Sequence, residues 1–593
     1  MLNQLFDDRT LIRLLARKRA GIADQRSKEE SERRMCRERK PAGLKALPDP
    51  PDPVCAMLPP RRVWARYRVR HRQGKDPLWL NAKAIERAAL DRLANPGKDD
   101  AVWIEPFNAF ANNLRDRALN APDFRFHKPR ISPIPKGKDG NHRAIAIYHP
   151  EDGIISTLLT RYLRSRFDDQ LSDSSYAFRE PGDGACKSHH DAMEDILAFR
   201  GKYPEGSLWV AECDIRGFFD CLHHACVRNA FSRFSSNAAR AGKPVDPRAK
   251  LIFDAYLESY SFTRNVIAEA LPRLKAAHPH ARIDWHPDAL REYYPDPLDE
   301  PIGIPQGGAI SSLIANLVLH QVDMACLPWK SPDRARMIYA RYCDDMILVS
   351  PDRRLLEKCF NRYIRALTSL RLPVHNPVAV GRYDKGFWKI KSRHPYNWRH
   401  NPAAPGSSPW IGFVGYQIRC DGLVRIRLES VRRHHEKLIG IADKALQTLF
   451  EKSADGARVP RPGVLVTGPQ ALFRLKCRMI SSGVGRPQIN GGTRSPAGQR
   501  CWIGGFKALI GKVVDMCQMR RLDRQRGSQL ARVARAVSRL PKMSHWKSVK
   551  PKVRYQGAPF SYYEQVRKKP ELRPDDNPPP CPTEQVLKKA HWP

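Results

Sequence analysis

Two adjacent aspartates interrupt an otherwise apolar, β-prone run, MIYARYCDDMILV (337–349), and nothing else in the chain restricts its fold as much. The two flanking runs read as strands joined by a tight connection, with Asp344 and Asp345 at its apex. Asp-Asp is by itself an ordinary turn sequence. Clustered anions repel, however, and hydrophobic flanks keep them close to a core, so a divalent cation is the simplest way to offset the cost. A third carboxylate stands at a strand end in SLWVAECDIRGFFDCLHH, where a hydrophobic run leads into Asp214. Three hard oxygen donors near one another suit phosphoryl transfer supported by two magnesium ions, because magnesium keeps some of its waters and needs few protein ligands.

Charge points to the partner. The chain has 593 residues, with 103 Lys and Arg against 62 Asp and Glu, a formal charge of +41. A polyphosphate is drawn to such an excess by counterion release, so nucleic acid is the expected partner, although charge does not separate an enzyme from a binding module. No run of about 18 uncharged apolar residues suggests a membrane span. The first residues lack the pattern of a secretory signal, so a cytoplasmic location is expected. The 14 cysteines are scattered without zinc spacing and read as reduced, buried thiols, Cys213, Cys221 and Cys343 among them.

The chain divides by composition into five parts. Residues 1–60 read as a basic arm with apolar Leu11, Leu14 and Leu15, followed by a Pro-rich linker, and residues 61–125 as a basic extension in which Trp64 and Tyr67 interleave with arginines. Residues 126–427 alternate short β-branched runs with helical patterns. Residues 428–540 contain two basic helical stretches, SVRRHHEKLIGIADKALQTLFEKS and QMRRLDRQRGSQLARVARAVSRL, expected to grip a nucleic-acid backbone. Residues 541–593 form a Pro- and aromatic-rich tail.

Six motifs in order resemble those of reverse transcriptases. Tyr342-Cys343-Asp344-Asp345 resembles the YxDD box, and Asp214 to Asp220 the first palm motif. GIPQGGAISSLIANLVLHQVD (303–323) resembles the PQG segment of group II intron and related bacterial enzymes, RISPIPKGKDGNHRAIAI (130–147) the fingers segment, SSYAFR (174–179) the box after it, and WIGFVGYQI (410–418) the element closing the palm. The resemblance spans roughly Arg130 to Arg427. It implies an α+β fold: a right-hand polymerase with fingers and palm, an antiparallel sheet with packed helices, followed by an α-helical thumb-like domain.

The same resemblance implies roles. Asp214 and Asp344 would ligate two magnesium ions, with manganese as a substitute, the Ile215 carbonyl serving as a backbone ligand and Asp345 supporting the pair. Lys136 and Arg143 would meet the incoming triphosphate, and Gln306 would lie against the new base pair. Phe219 would exclude a ribose 2'-hydroxyl and so select dNTPs. Arg130, Arg179 and Tyr342 are expected to contact nucleic acid. A lysine is expected after the hairpin, and Lys385, Lys389 and Lys391 compete for the position.

FWKIKSRHPYNW, CWIGGF and MRRLDRQR look closest to unknown-group bacterial enzymes linked to phage defence. That resemblance implies an RNA template or a dedicated noncoding RNA, a DNA product, and assembly into oligomers or with a partner protein. It also brings Ser561, Tyr562 and Tyr563 into view as protein-priming hydroxyls. Three alternatives stay open: an intron-type enzyme and splicing helper, an idle RNA-binding scaffold, and an RNA polymerase, the last disfavoured by Phe219. Ser312 and Ala177 depart from the family's usual proline and glycine. The chain between Asp220 and Gly303 is longer than in group II enzymes, and it has no assigned role.

Overall fold

The computed structural model describes residues 2–33, 52–64, 77–136, 140–179, 187–204, 206–328, 331–384, 386–400, 404–461, 468–484, 486–487, 499–500 and 517–538. Tyr67, Lys385, the stretch 501–506 and the whole tail with Ser561, Tyr562 and Tyr563 lie outside the described residues. The chain forms two compact units, Met1–Thr10 with Ala111–Gly422 and Leu11–Phe110 with Leu423–Pro593. The second unit thus groups residues 11–110 with the C-terminal helices. Leu11, Ile12 and Leu15, read as part of a basic arm, are buried. A helix with an apolar stripe has to bury it, however basic the opposite face.

In the first unit a five-stranded sheet runs in the order β5-β6-β3-β7-β8. Its strands are β3 (Leu208–Cys213), β5 (Ile338–Tyr342), β6 (Asp345–Ser350), β7 (Arg393–Trp398) and β8 (Ser407–Ser408). The pairs β5/β6, β6/β3 and β3/β7 are antiparallel, and β7/β8 is parallel. Helices Ser311–Cys326 and Arg353–Ser369 pack together, and the second lies against β3 and β6. Central strand β3 is buried at every position but Trp209, as an apolar run between two neighbours should be.

A second sheet has the order β1-β2-β4, from β1 (Arg130–Pro135), β2 (Asn141–Ile147) and the two-residue β4 (Arg282–Ile283). The β1/β2 hairpin turns one face to a core, most clearly along β2. Ile131, Ala144 and Ala146 face an apolar cluster with Phe262, Val266, Leu274 and Ile283, while Arg130, Ile134, Arg143 and Ile147 are exposed on the other face. β9 (Trp410–Phe413) and β10 (Tyr416–Arg419) form the hairpin expected to close the palm.

The long segment after Asp220 is a closed excursion. Helices His224–Arg240 and Pro247–Glu258 pack on helix Pro150–Phe167, with Phe231 between Phe167 and Phe253. The chain then supplies β4, which pairs in parallel with β2. Its two ends are stitched together: the His224 amide donates to the Pro301 carbonyl at 3.0 Å, and the Gly303 amide to the Leu222 carbonyl at 2.8 Å.

In the second unit, the two basic stretches beyond residue 427 are helices Leu428–Leu449 and Cys517–Val537, packed on each other and on helix Gly468–Val484. The Gln518 amide bonds both backbone groups of Ile426 at 2.9 Å. Among the described residues no helix is long and apolar enough to cross a membrane.

Candidate active site

β5 and β6 form the hairpin that the Asp-Asp run implies, with Tyr342 opposite Asp345 and Cys343-Asp344 as the two-residue connection. Such tight connections favour left-handed backbone, and Cys343 adopts it at φ +61°. The conformation costs a non-glycine residue about 1 kcal/mol. It is held from beneath by Arg341, fully buried, which donates to the Cys343 carbonyl at 3.0 Å and to both Asp323 carboxylate oxygens at 2.7 Å. Asp323 also accepts from the Tyr339 hydroxyl at 2.7 Å, and Asn316 from Arg341 at 3.2 Å and from the Ser175 hydroxyl at 3.1 Å. Sequence reading missed this buried polar network; its one visible sign is an arginine in an apolar strand.

Asp214 follows the last residue of β3. The rung before it pairs Cys213 with Met346, so one further step brings Asp214 level with Asp345. Burial, with the charge of Asp214 adding to it, holds the Asp344 carboxyl above the ordinary range of an aspartate. Asp214 and Asp344 thus act on one another across the β3/β6 seam. Asp345 is exposed at the start of β6. Ile215 forms a bridge with Val374 whose hydrogen bonds run through the Asp214 carbonyl and the Arg216 amide, so the pairing does not use the Ile215 carbonyl.

Three consecutive residues leading into β7 hold the end of β3 and Asp214. Lys391 Nζ lies 3.0 Å from Asp214 Oδ2, the Ser392 hydroxyl accepts from the Asp214 amide at 2.9 Å, and Arg393 pairs with the buried Glu212. Of the lysines that competed in the sequence, Lys391 is the one bonded to Asp214; Lys385 is outside the described residues. His375 Nε2 stands 3.7 Å from the same carboxylate oxygen, and burial lowers its pKa.

Among the described residues no group of three His, Cys, Asp or Glu side chains is arranged to hold a metal ion. The two carboxylates that act on one another here are Asp214 and Asp344. Two carboxylates suffice for magnesium, which takes one or two of them together with waters and substrate phosphates.

Phe219 is half-buried, its ring edge-on to the buried Phe218 at 5.2 Å, and its carbonyl accepts from the Ile304 amide at 2.8 Å. The Gln306 side-chain amide donates to both Asp220 oxygens at 2.8 and 3.0 Å, and the Gln306 backbone carbonyl accepts from the Ala146 amide at 2.9 Å. That joins the loop before helix Ser311–Cys326 to the β1/β2 hairpin. Gly307, at φ +96°, makes the approach feasible, because a Cβ there would lie 3.1 Å from the Ile145 side chain. Lys136 and Arg143 are exposed, and Lys136 pairs with Asp284 at 3.0 Å. Arg130 is exposed and Tyr342 half-buried.

Arg179 departs from expectation. It is buried, and its donors go to Asp168 and to the Ser172 and Ser175 carbonyls, so it braces the loop from inside. The exposed side chain of that box is Phe178, at φ +57° and 45% exposed. Cys213 and Cys221 are buried free thiols as expected, and Cys343 is half-buried.

Asp220 was not singled out in the sequence. Burial raises its carboxyl to about 7, against the pull of Gln306, Arg143 and Lys136. A folded state that holds this proton more tightly than the unfolded chain loses stability as pH rises from about 4 to about 7. Asp220→Asn is expected to flatten that decline in urea-melt midpoints, and an unchanged slope would assign it to other groups.

No family profile matches the chain. In sequence it is similar to a Saccharomyces cerevisiae protein named "Putative COX1/OXI3 intron 1 protein", at 23% identity over 220 residues, 37% of this chain and 21% of that protein. The chain thus spans about a fifth of the length of the curated relative it matches. Among solved structures, similar chains include a telomerase from Candida albicans in complex with a TWJ fragment of telomeric RNA (13% identity, TM-score 0.31, 78% of this chain and 71% of that one). Another is an apo telomerase from Candida tropicalis (12% identity, TM-score 0.31, 77% and 74%).

Proposed function

We propose that the chain is an RNA-directed DNA polymerase, a reverse transcriptase that copies an RNA template into DNA from dNTPs. The observation that carries this reading is the pairing of Asp214, at the end of a central strand, with Asp344, at the apex of the adjacent hairpin, beside Lys391. On this reading the five-stranded sheet is the palm, the β1/β2 hairpin belongs to the fingers, and the helices beyond residue 427 are a thumb-like grip on nucleic acid. The similarity to an intron protein supports it.

Asp214 and Asp344, with the Ile215 carbonyl and Asp345, would hold magnesium or manganese. When bound, the metal supplies polarisation of the primer 3'-hydroxyl and neutralises charge on the departing pyrophosphate. Lys136, Arg143 and Lys391 add fixed positive charge along the triphosphate, where charge develops during transfer. Gln306, oriented by Asp220, bounds the nascent pair. On this reading Phe219 excludes the 2'-hydroxyl of a ribonucleotide. The test is primer extension on an RNA template. Wild type is expected to extend with dNTPs and to reject rNTPs, and Phe219→Ala to accept rNTPs at least about tenfold better; an unchanged preference would remove Phe219 from this role.

The biological setting we infer is a dedicated structured RNA acting in defence against phage, supported by the sequence features at 387–398 and 519–526. An intron-type enzyme is the second reading, favoured by the similarity to the yeast intron protein. Sequencing the RNA and DNA that copurify with the chain separates them: flanking intron RNA supports the second, a short noncoding RNA the first.

A further inference from the structure

The excursion between Asp220 and Gly303 reaches the tip of the β1/β2 hairpin. The Arg282 amide donates to the Gly140 carbonyl at 2.8 Å, and the fit is so close that a Cβ at Gly140 would lie 2.6 Å from the His280 carbonyl oxygen. Immediately after β4, Asp284 bonds Lys136 Nζ at 3.0 Å and also accepts from the Asn141 side-chain amide. Its delivery is rigid, because Trp285 packs against the apolar clusters on both sides, one holding Phe262 and Ile283 and the other Tyr294 and Ile302. Burial works against the charge on Asp284, but the bonds from Asn141 and Lys136 overcome it and keep the carboxyl below its usual range.

Lys136 and Asp284 are 54% and 45% exposed, so this is a weak pair within reach of solutes. It stands in the same charge cluster as Arg143 and Asp220. We propose that Asp284 is a built-in competing anion in the nucleotide site, holding Lys136 until the phosphates of an incoming nucleoside triphosphate displace it. This rests on the polymerase reading, which places Lys136 against the triphosphate. The excursion thereby sets how much phosphate charge a nucleotide must carry to be held. A triphosphate outcompetes one carboxylate, and a monophosphate does so poorly.

The test uses the full chain with dTTP on poly(rA)/oligo(dT). Asp284→Asn, which keeps the shape and an acceptor but removes the charge, is expected to lower the KM for dTTP about two- to fivefold with kcat unchanged. Asp284→Glu should restore the wild-type KM, and raising salt should shrink the difference. In a Lys136→Met background Asp284→Asn should change nothing further. A KM that rises or stays constant in Asp284→Asn, or a gain that persists without Lys136, overturns the proposal. Calorimetric binding of inorganic tripolyphosphate separates this from the parent reading. Absence of synthesis by the wild type would sink the polymerase assignment, whereas unchanged tripolyphosphate affinity in Asp284→Asn would sink the competing-anion role alone.

Discussion

Asp344→Asn is expected to lower DNA synthesis by at least about a thousandfold, while leaving the sheet as resistant to urea as the wild type or more so. The two effects have one cause. Asp344 is held half-buried with its carboxyl disfavoured by desolvation and by the charge of Asp214. An amide of the same shape removes that repulsion, so the folded state gains. On the proposed reading it also removes a carboxylate ligand of the metal, and losing about 4 kcal/mol of transition-state stabilisation corresponds to a thousandfold in rate. Primer extension and urea melts on one preparation decide it. Loss of synthesis together with loss of stability would make Asp344 a structural residue, and retained synthesis would remove the carboxylate pair from the chemistry. A gain in stability on losing a reactive group is the trade-off expected of a site that opposes folding.

Arg341→Met is expected to destabilise the sheet-bearing unit by about 3–5 kcal/mol, the cost of leaving a buried partner unpaired. Arg341 and Asp323 are both fully buried, and Asp323 would keep only the Tyr339 hydroxyl. The loss reaches the hairpin apex, because Arg341 also donates to the Cys343 carbonyl. Activity should therefore fall with stability, in contrast to Asp344→Asn. Arg341→Met combined with Asp323→Leu is expected to recover most of the stability, since replacing both partners by apolar groups is often neutral, yet not the activity, because the apex keeps no donor in place of the guanidinium. Equal stability of Arg341→Met and wild type in urea would mean that water or backbone shifts satisfy Asp323.

The parts of the site legible in the sequence are those encoded locally. An apolar run broken by Asp344-Asp345 specifies its own hairpin, and a buried strand leading into Asp214 specifies a carboxylate at a strand end. The two basic stretches beyond residue 427 declare their helices by spacing alone. What the sequence hides depends on pairing across long separations. Lys391 could not be chosen among three lysines until Ser392 and Arg393 were seen bonded to Asp214 and Glu212. Arg179 reads as a surface cation, but Asp168 and two backbone carbonyls bury it. Asp220 and Gln306 lie 86 residues apart, and Lys136 and Asp284 148 apart, so neither contact has a local signature. The grouping of residues 11–110 with a region that begins more than three hundred positions later has no local signature either.

The stitched ends of the long excursion set where this chain can diversify. Because the chain leaves at Leu222–His224 and returns beside it at Pro301–Gly303, the strand carrying Asp214 and the loop carrying Gln306 meet at a seam whose spacing is independent of what is looped out between them. On the proposed reading, material added or trimmed at the far end, around β4, reshapes the rim of the nucleotide site without shifting the carboxylates by a residue. Selectivity at that doorway and chemistry at the centre could then vary separately, on a single uninterrupted polypeptide.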